Sequence, residues 1–209
     1  MISASEALQR LREGNASFVS GEPIRYKAES QTYRSNLVDR QEPFAVILGC
    51  SDSRVPVEII FDQGIGDLFV IRVAGNIIAP SQMASVEFAA QRLDTPLVVV
   101  LGHTGCGAVT ATVEELLKPS EQQSQYWDSI VDRIRPSVEG LLATESVDDP
   151  DALAMLAIRA NIKESVRNLQ HESNILERLI RGNATHIVGA EYSLETGEVD
   201  FFENLPASG

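Results

Sequence analysis

The chain has 209 residues, of which 44% are hydrophobic and 22% charged, so it is long and apolar enough to bury a full core in one domain. Its 17 lysines and arginines against 30 aspartates and glutamates give a net charge of -13. This surplus of negative charge repels phosphate backbones and anionic lipid, which excludes nucleic acids and membrane surfaces as partners.

Hydropathy gives no sign of a membrane or export segment. The longest apolar runs, residues 44–49 and 97–102, are far shorter than the roughly 20 residues that a membrane-spanning helix needs. No charged start leads into an apolar signal segment, so we expect a cytoplasmic protein. We expect a single domain over residues 1–209, because no internal repeat or linker interrupts the chain.

An N-terminal helical arm is predicted by the capping box Ser3-x-x-Glu6, which is followed by apolar residues at near-helical spacing. Gly14 weakens the middle of this helix. Residues 20–43 are polar and show no sustained period, which predicts a connecting segment on the surface. Residues 1–43 are therefore expected to form the arm and the segment that joins it to the rest of the domain.

Short runs rich in valine, isoleucine and leucine begin after this segment, with helical patterns between them. The predicted strands are residues 44–48, 68–71, 97–101 and 186–188, with an edge strand at 198–202. The predicted helices are residues 81–93, 105–117 and 149–181. The last is expected to run unbroken, from an N-cap at Asp149 to a stop at Gly182. Such alternation predicts an α/β fold, with a mainly parallel central sheet flanked by helices.

Chemically versatile residues follow two of the predicted strands. Residues 50–54 read Cys-Ser-Asp-Ser-Arg, and residues 103–107 read His-Thr-Gly-Cys-Gly. The carboxyl ends of parallel strands share one edge of a sheet, where open sheets bind ligands. Cys50, His103 and Cys106 therefore predict a metal site, because two thiolates and an imidazole suit tetrahedral Zn²⁺.

Three protein ligands leave a fourth position open, as in catalytic zinc sites, and the chain has no third cysteine to close it. Asp52 is the candidate for that position. Cys106 also opens a predicted helix, whose backbone N–H groups are expected to lower the pKa of its thiol. The alternative, in which both cysteines are small buried apolar residues and His103 is a core histidine, stays open at this point.

Asp52 and Arg54 are two residues apart, so on an extended segment both side chains project to one side and can pair through two hydrogen bonds. Such a pair would keep Asp52 ionised and oriented beside the metal. A loop ion pair without function is the alternative.

His171 and His186 lie outside both motifs, and we expect neither to bind the metal.

The two motifs closely resemble the paired signature of the β-class carbonic anhydrases. The likeness extends to residues 61–64, Phe-Asp-Gln-Gly, and residues 72–76, Arg-Val-Ala-Gly-Asn, and it covers most of the chain. The resemblance implies one Zn²⁺ per chain, held by two cysteines and a histidine. These ligands map onto Cys50, His103 and Cys106.

Three further residues acquire expected roles from the resemblance. Asp52 matches the aspartate of the first family motif, and Arg54 matches the arginine that pairs with it. Gln41 matches a glutamine that hydrogen-bonds substrate or bicarbonate in the site of a neighbouring subunit. The resemblance therefore implies a homodimer or a homotetramer.

The resemblance also implies the reaction, which is the reversible hydration of CO₂ to bicarbonate and a proton. Hydroxide on the zinc attacks CO₂, and Asp52 and Arg54 orient the nucleophile and gate the metal. By family position, the apolar pocket that holds CO₂ includes Phe69, Ala74 and Gly107. Some members carry a tryptophan where this chain has Ile47, and these members are regulated by bicarbonate. The absence of this tryptophan favours the non-allosteric subtype, although Arg72 and a candidate tyrosine, Tyr192, remain from the regulatory bicarbonate site.

Two other functions stay open on the same residues. Relatives within this family hydrolyse carbonyl sulfide or carbon disulfide, which are linear and neutral like CO₂. A non-enzymatic zinc or redox-sensing module could also use the pair of Cys50 and Cys106. Hydration of CO₂ is the function that the sequence favours.

Overall fold

The computed structural model describes residues 2–22, 35, 37–119, 124–144 and 149–202. Much of the predicted connecting segment, residues 23–34 and 36, lies outside this part of the chain. The helices of the described residues are α1 Ala4–Val19, α2 Val57–Ile60, α3 Pro80–Arg92, α4 Gly107–Leu117, α5 Gln125–Thr144, α6 Pro150–His171 and α7 Asn174–Arg181. The strands are β1 Ala45–Gly49, β2 Leu68–Arg72, β3 Leu97–His103, β4 His186–Tyr192 and β5 Val199–Phe201.

The strands form one sheet in the order β2, β1, β3, β4, β5. Neighbours run parallel except for the antiparallel pair of β4 and β5. Gly49 lies opposite Arg72 on one side and opposite Leu101 on the other, so the carboxyl ends of three strands meet at one edge. The predicted α/β fold with a mainly parallel sheet is confirmed, and the predicted edge strand is β5.

Two apolar clusters cover the two faces of the sheet. On one face, Val46 and Leu48 of β1 pack with residues of helices α3 to α7. On the other face, Ile47 packs with residues of α1 and α2. Strands β1 and β3 are buried along their whole length, which explains why they read as continuous apolar runs rather than as alternating patterns.

The N-terminal helix begins as predicted. The Ser3 hydroxyl accepts a hydrogen bond from the backbone N–H of Glu6, and the Glu6 carboxylate accepts one from the backbone N–H of Ser3. Gly14 lies where the helix meets the backbone of Phe61, and an added Cβ would come within 1.8 Å of that carbonyl oxygen. The glycine that weakens the sequence pattern therefore allows the close approach of α1 to the domain.

The prediction of one unbroken helix over residues 149–181 is wrong. Asp149 caps α6 as expected, but this helix ends at His171 and α7 begins at Asn174. Ser173 lies between them, and its hydroxyl accepts from the backbone N–H of Leu176 at 3.1 Å and donates to Glu87 at 2.6 Å. This new N-cap allows the chain to change direction and pack α7 against α3.

Helix α5 was not predicted from the sequence. Its buried residues Val131, Ile134 and Val138 have helical spacing, but Pro136 lies among them and reads as a helix breaker. Tertiary packing against α4 and α6 outweighs that local signal.

No helix in the part of the chain that the structure describes has the length and apolar character needed to cross a membrane.

Candidate metal centre

Cys50, His103 and Cys106 come together at the carboxyl edge of the sheet. Cys50 follows β1, His103 is the last residue of β3, and Cys106 immediately precedes α4. All three side chains are buried, and one ligand atom from each lies within 4.8 Å of the others. Among the described residues, this is the one group of at least three histidine, cysteine or acidic side chains with such spacing.

The imidazole of His103 presents a lone pair to the two sulfurs. Its Nδ1 lies 3.0 Å from the carbonyl oxygen of Thr104, which can only accept, so Nδ1 carries the proton. Its Nε2 is buried and has no hydrogen-bond partner in the described part of the chain. An orphaned nitrogen of this kind is suited to bind a metal, because the bond to Thr104 fixes both the tautomer and the ring orientation.

The spacing of the two sulfurs fits zinc. Cys50 Sγ and Cys106 Sγ lie 4.0 Å apart. Two Zn–S bonds of about 2.3 Å at a tetrahedral angle place their sulfurs roughly 3.8 Å apart. The donor set of two sulfurs and one imidazole nitrogen therefore fits Zn²⁺ in both chemistry and spacing. The burial of both cysteines alone would also suit small apolar residues, but such residues would not leave His103 Nε2 without a partner.

The sulfur atoms of Cys50 and Cys106 lie close enough to form a hydrogen bond with each other. The hydrogen bond with Cys106 holds the pKa of Cys50 well below its usual range, and the adjacent His103 and the backbone N–H of Gly75 lower this pKa further. The same bond raises the pKa of Cys106, whose proton it retains. The backbone N–H groups at the start of α4 act to lower the pKa of Cys106, but the bond to Cys50 and burial outweigh them, so the prediction of a lowered pKa at this thiol is wrong. A bound metal cation would displace this proton.

Asp52 and Arg54 form the predicted ion pair beside this cluster. Arg54 Nε and Nη2 donate to the two carboxylate oxygens of Asp52 at 3.0 Å and 2.7 Å, and the Arg54 backbone N–H adds a third bond at 2.9 Å. These bonds hold the pKa of Asp52 far below its usual range, so the carboxylate stays ionised. Asp52 Oδ2 lies 3.9 Å from His103 Nε2, which places the carboxylate at the rim of the cluster.

Arg72 fixes the loop that carries Cys50 and Asp52. It ends β2, its Nε donates to the carbonyl oxygen of Cys50 at 2.9 Å, and its Nη2 donates to that of Asp52. The sequence does not indicate this role, because the family resemblance associates Arg72 only with the regulatory bicarbonate site. Two strands, β1 and β3, separate it from Tyr192 at the end of β4.

Two of the three residues expected to contact CO₂ flank the metal ligands. Ala74 begins the 3-10 turn that contains Gly75, and Gly107 directly follows Cys106. An added Cβ at Gly107 would meet no atom within 4 Å, so there is open space beside it. Phe69 lies within β2 opposite Val46, and its ring centroid is 6.1 Å from that of Phe88.

Gln41 lies near the amino end of β1, whereas the candidate metal ligands of the same chain lie at the carboxyl ends of the strands. It precedes β1, whereas Cys50 follows this strand, and five strand residues span about 16 Å. Gln41 lines a cavity of about 560 Å³ together with Arg10, Asp67 and Arg92. His171 and His186 also lie outside the metal-ligand group, at the end of α6 and the start of β4.

Comparison with known proteins agrees with this geometry. The family model described as carbonic anhydrase matches residues 45–199. A carbonic anhydrase of Mycolicibacterium smegmatis is 38% identical over 203 residues, which cover 95% of this chain and 93% of that protein. The family-model match therefore includes strands β1 to β4 and both cysteine motifs.

Solved structures show the same fold. The β-carbonic anhydrase CcaA superposes with a TM-score of 0.75 and 27% identity, over 97% of this chain and 94% of that one. A structure from a study of two tetrameric β-carbonic anhydrases of Sordaria macrospora gives a TM-score of 0.73 at 17% identity, over 94% of this chain and 97% of that one. With the buried pair of cysteines and the histidine at the sheet edge, these matches show that the chain belongs to the β class of the carbonic anhydrase family.

Proposed function

We propose that this protein catalyses the reversible hydration of CO₂ to bicarbonate and a proton, with one Zn²⁺ per chain held by Cys50, His103 and Cys106. The observation that carries the proposal is the unpartnered Nε2 of His103, buried beside two sulfurs that lie 4.0 Å apart. When bound, zinc would acidify water and so supply a nucleophile at neutral pH. CO₂ hydration requires this chemistry.

Asp52 is proposed to orient the nucleophile. Its carboxylate is ionised and lies at the rim of the cluster, where it can accept a hydrogen bond. Arg54 occupies both carboxylate oxygens, and it also donates to the carbonyl oxygen of Gly105 at 3.3 Å. Arg54 therefore keeps Asp52 from turning to the metal, which leaves the fourth position accessible.

The substrate is proposed to lie beside Ala74 and Gly107. The space next to Gly107 adjoins Cys106, and a small apolar lining suits a linear molecule without charge. Phe69 is proposed to complete this lining. Carbonyl sulfide and carbon disulfide have a similar shape, so direct comparison of the three substrates distinguishes the reactions.

We further propose that the protein acts as a homodimer or a homotetramer in the cytoplasm. Gln41 would then reach the metal centre of a neighbouring subunit, because it lies far from its own. The outer strand β2 leaves Leu68, Phe69 and Val70 only half-buried, which suits an interface. The Sordaria enzymes that share the fold are tetrameric. A reducing compartment would protect the two buried thiols from oxidation.

The proposal is tested by measuring metal content and CO₂ hydration on the same purified sample. We expect about one zinc per chain and rapid hydration by stopped-flow pH indicator assay. Preferential turnover of carbonyl sulfide or carbon disulfide would instead identify a hydrolase. Stable zinc without turnover of any of the three substrates would favour a zinc or redox-sensing module.

A further inference from the structure

Two buried polar side chains on α6 hold the turn that follows β2. Asn161 and Ser165 are four residues apart, on one face of the helix, and are only 1% and 3% exposed. Asn161 Nδ2 donates to the carbonyl oxygen of Gly75 at 2.7 Å, and Ser165 Oγ donates to the carbonyl oxygen of Asn76 at 3.0 Å. Two successive buried carbonyls are thereby satisfied from the same helix.

This turn needs such support because its backbone is unusual. Gly75 has φ 70° and Asn76 has φ 43°, so two consecutive residues lie in the left-handed region. Apolar contacts also enclose the turn, since an added Cβ at Gly75 would meet Ile134 Cδ1 at 2.8 Å and Ala108 Cβ at 3.3 Å. The polar support from α6 fixes the direction of the carbonyls, which apolar packing alone does not specify.

The turn reaches the metal centre through one hydrogen bond. The backbone N–H of Gly75 donates to Cys50 Sγ at 3.4 Å. A hydrogen bond to a thiolate withdraws electron density from the sulfur, and so reduces the charge that it donates to a metal. The orientation of the Gly75 peptide therefore affects the electronic properties of Cys50 as a ligand.

We infer that Asn161 and Ser165 are positioning residues of the metal centre: they hold the Gly75 turn so that its N–H stays directed at Cys50. This inference rests on the proposed function, because it assigns how the same centre is tuned. Both side chains donate to backbone carbonyls of the turn, so both act through its backbone. Loss of either is expected to make Cys50 a stronger donor.

The test uses the full chain with Co²⁺ substituted for zinc, in the variants Asn161→Leu and Ser165→Ala. We expect the sulfur-to-cobalt charge-transfer band to move to lower energy, because a thiolate with a weaker hydrogen bond gives up an electron more readily. The pH midpoint of CO₂ hydration by the zinc form should move upward, since stronger sulfur donation makes water at the metal less acidic. Ser165→Thr keeps the hydroxyl and should restore the original band.

Two controls separate positioning from general stability. Ser137→Ala removes a buried hydroxyl that has no partner among the described residues. Asn15→Leu removes a buried amide that donates to the carbonyl oxygens of Ile60 and Gly197, away from the metal centre. Both controls should leave the band and the pH midpoint unchanged, although Asn15→Leu should unfold at lower urea concentration.

Identical band energies in the unmodified protein, Asn161→Leu and Ser165→Ala would overturn the inference, whatever their stability. An equal shift in Ser137→Ala would do the same. If the unmodified protein with Co²⁺ shows no sulfur-to-cobalt band, the proposed metal centre itself is wrong and the inference fails with it. Ser165→Ala removes only one oxygen atom, so this variant is expected to fold and provide the decisive comparison.

Discussion

Arg54 donates two parallel hydrogen bonds to Asp52, with Nε 3.0 Å from Oδ1 and Nη2 2.7 Å from Oδ2. The same Oδ2 atom lies 3.9 Å from the unpartnered Nε2 of His103. The carboxylate is therefore close enough to the metal position to become a ligand if the guanidinium releases it. In the proposed metal centre, this relationship predicts that Arg54 decides whether the fourth position stays accessible.

Arg54→Ala should lower kcat/KM for CO₂ hydration by about 10- to 100-fold while the protein keeps its zinc. The reason is that Asp52, once released, competes for the fourth position. Zinc analysis and stopped-flow rates on one sample make the measurement. Arg181→Ala removes an exposed arginine that pairs with Glu177 and should have no effect on the rate. Full activity of Arg54→Ala from pH 6 to about 9 would remove Arg54 from the mechanism.

Cys106→Ala should lose nearly all of its zinc and its activity together, because two protein donors are too few to hold the ion. His103→Ala should behave in the same way. Metal analysis after dialysis against a weak chelator, followed by the hydration assay, makes the measurement. A Cys106→Ala protein that remains zinc-replete and active would show that the metal lies elsewhere.

Metal-free protein should lose both thiols in air. The sulfurs of Cys50 and Cys106 lie 4.0 Å apart, and a disulfide of about 2.05 Å requires a modest loop movement. Two thiols and one O₂ would give the disulfide and H₂O₂, with both protons passing to oxygen. Zinc should prevent this reaction, and activity should return only when a reductant and zinc are both supplied. Thiol titration that still finds both cysteines free after long aeration would exclude such a movement.

The stability of the fold should decrease in mild acid partly because of His186. Burial lowers the pKa of this imidazole from 6.5, so the unfolded chain binds a proton that the folded chain resists. Stability is therefore lost as pH falls through and below about 6.5, and gained as pH rises. His186→Gln should reduce the difference between urea midpoints at pH 7.5 and pH 5.5. His171→Gln, at an exposed position, is the control, and an equal reduction there would contradict the assignment.

Substitution by alanine at two glycines beside the cysteines should change the stability of the fold in opposite directions. Gly75→Ala should destabilise the fold by about 1–3 kcal/mol, because its φ is 70° and a Cβ would come within 2.8 Å of Ile134. Gly107→Ala places its Cβ in open space at the start of α4 and should keep or raise stability by up to about 1 kcal/mol. Urea unfolding checks both. A lower kcat/KM in Gly107→Ala would support its proposed contact with CO₂.

The sequence by itself determined the fold class and the members of the candidate metal-binding cluster. Cys50 and His103 each follow a run of apolar residues, and parallel strands bring their carboxyl ends to the same edge. Spacing of two residues was also enough to predict the pairing of Asp52 with Arg54, because that contact is local. These features depend on short-range patterns that one sequence displays directly.

Only the tertiary structure decided how that cluster is held. Ser173, at the break between α6 and α7, donates to Glu87, 86 residues away, and Asn161 donates to Gly75 across the same separation. Arg72 binds the carbonyl oxygen of Cys50 across 22 residues. No local periodicity records such contacts, because each pairs a polar side chain with a partner that becomes its neighbour only when the strands pair and the helices pack on the sheet.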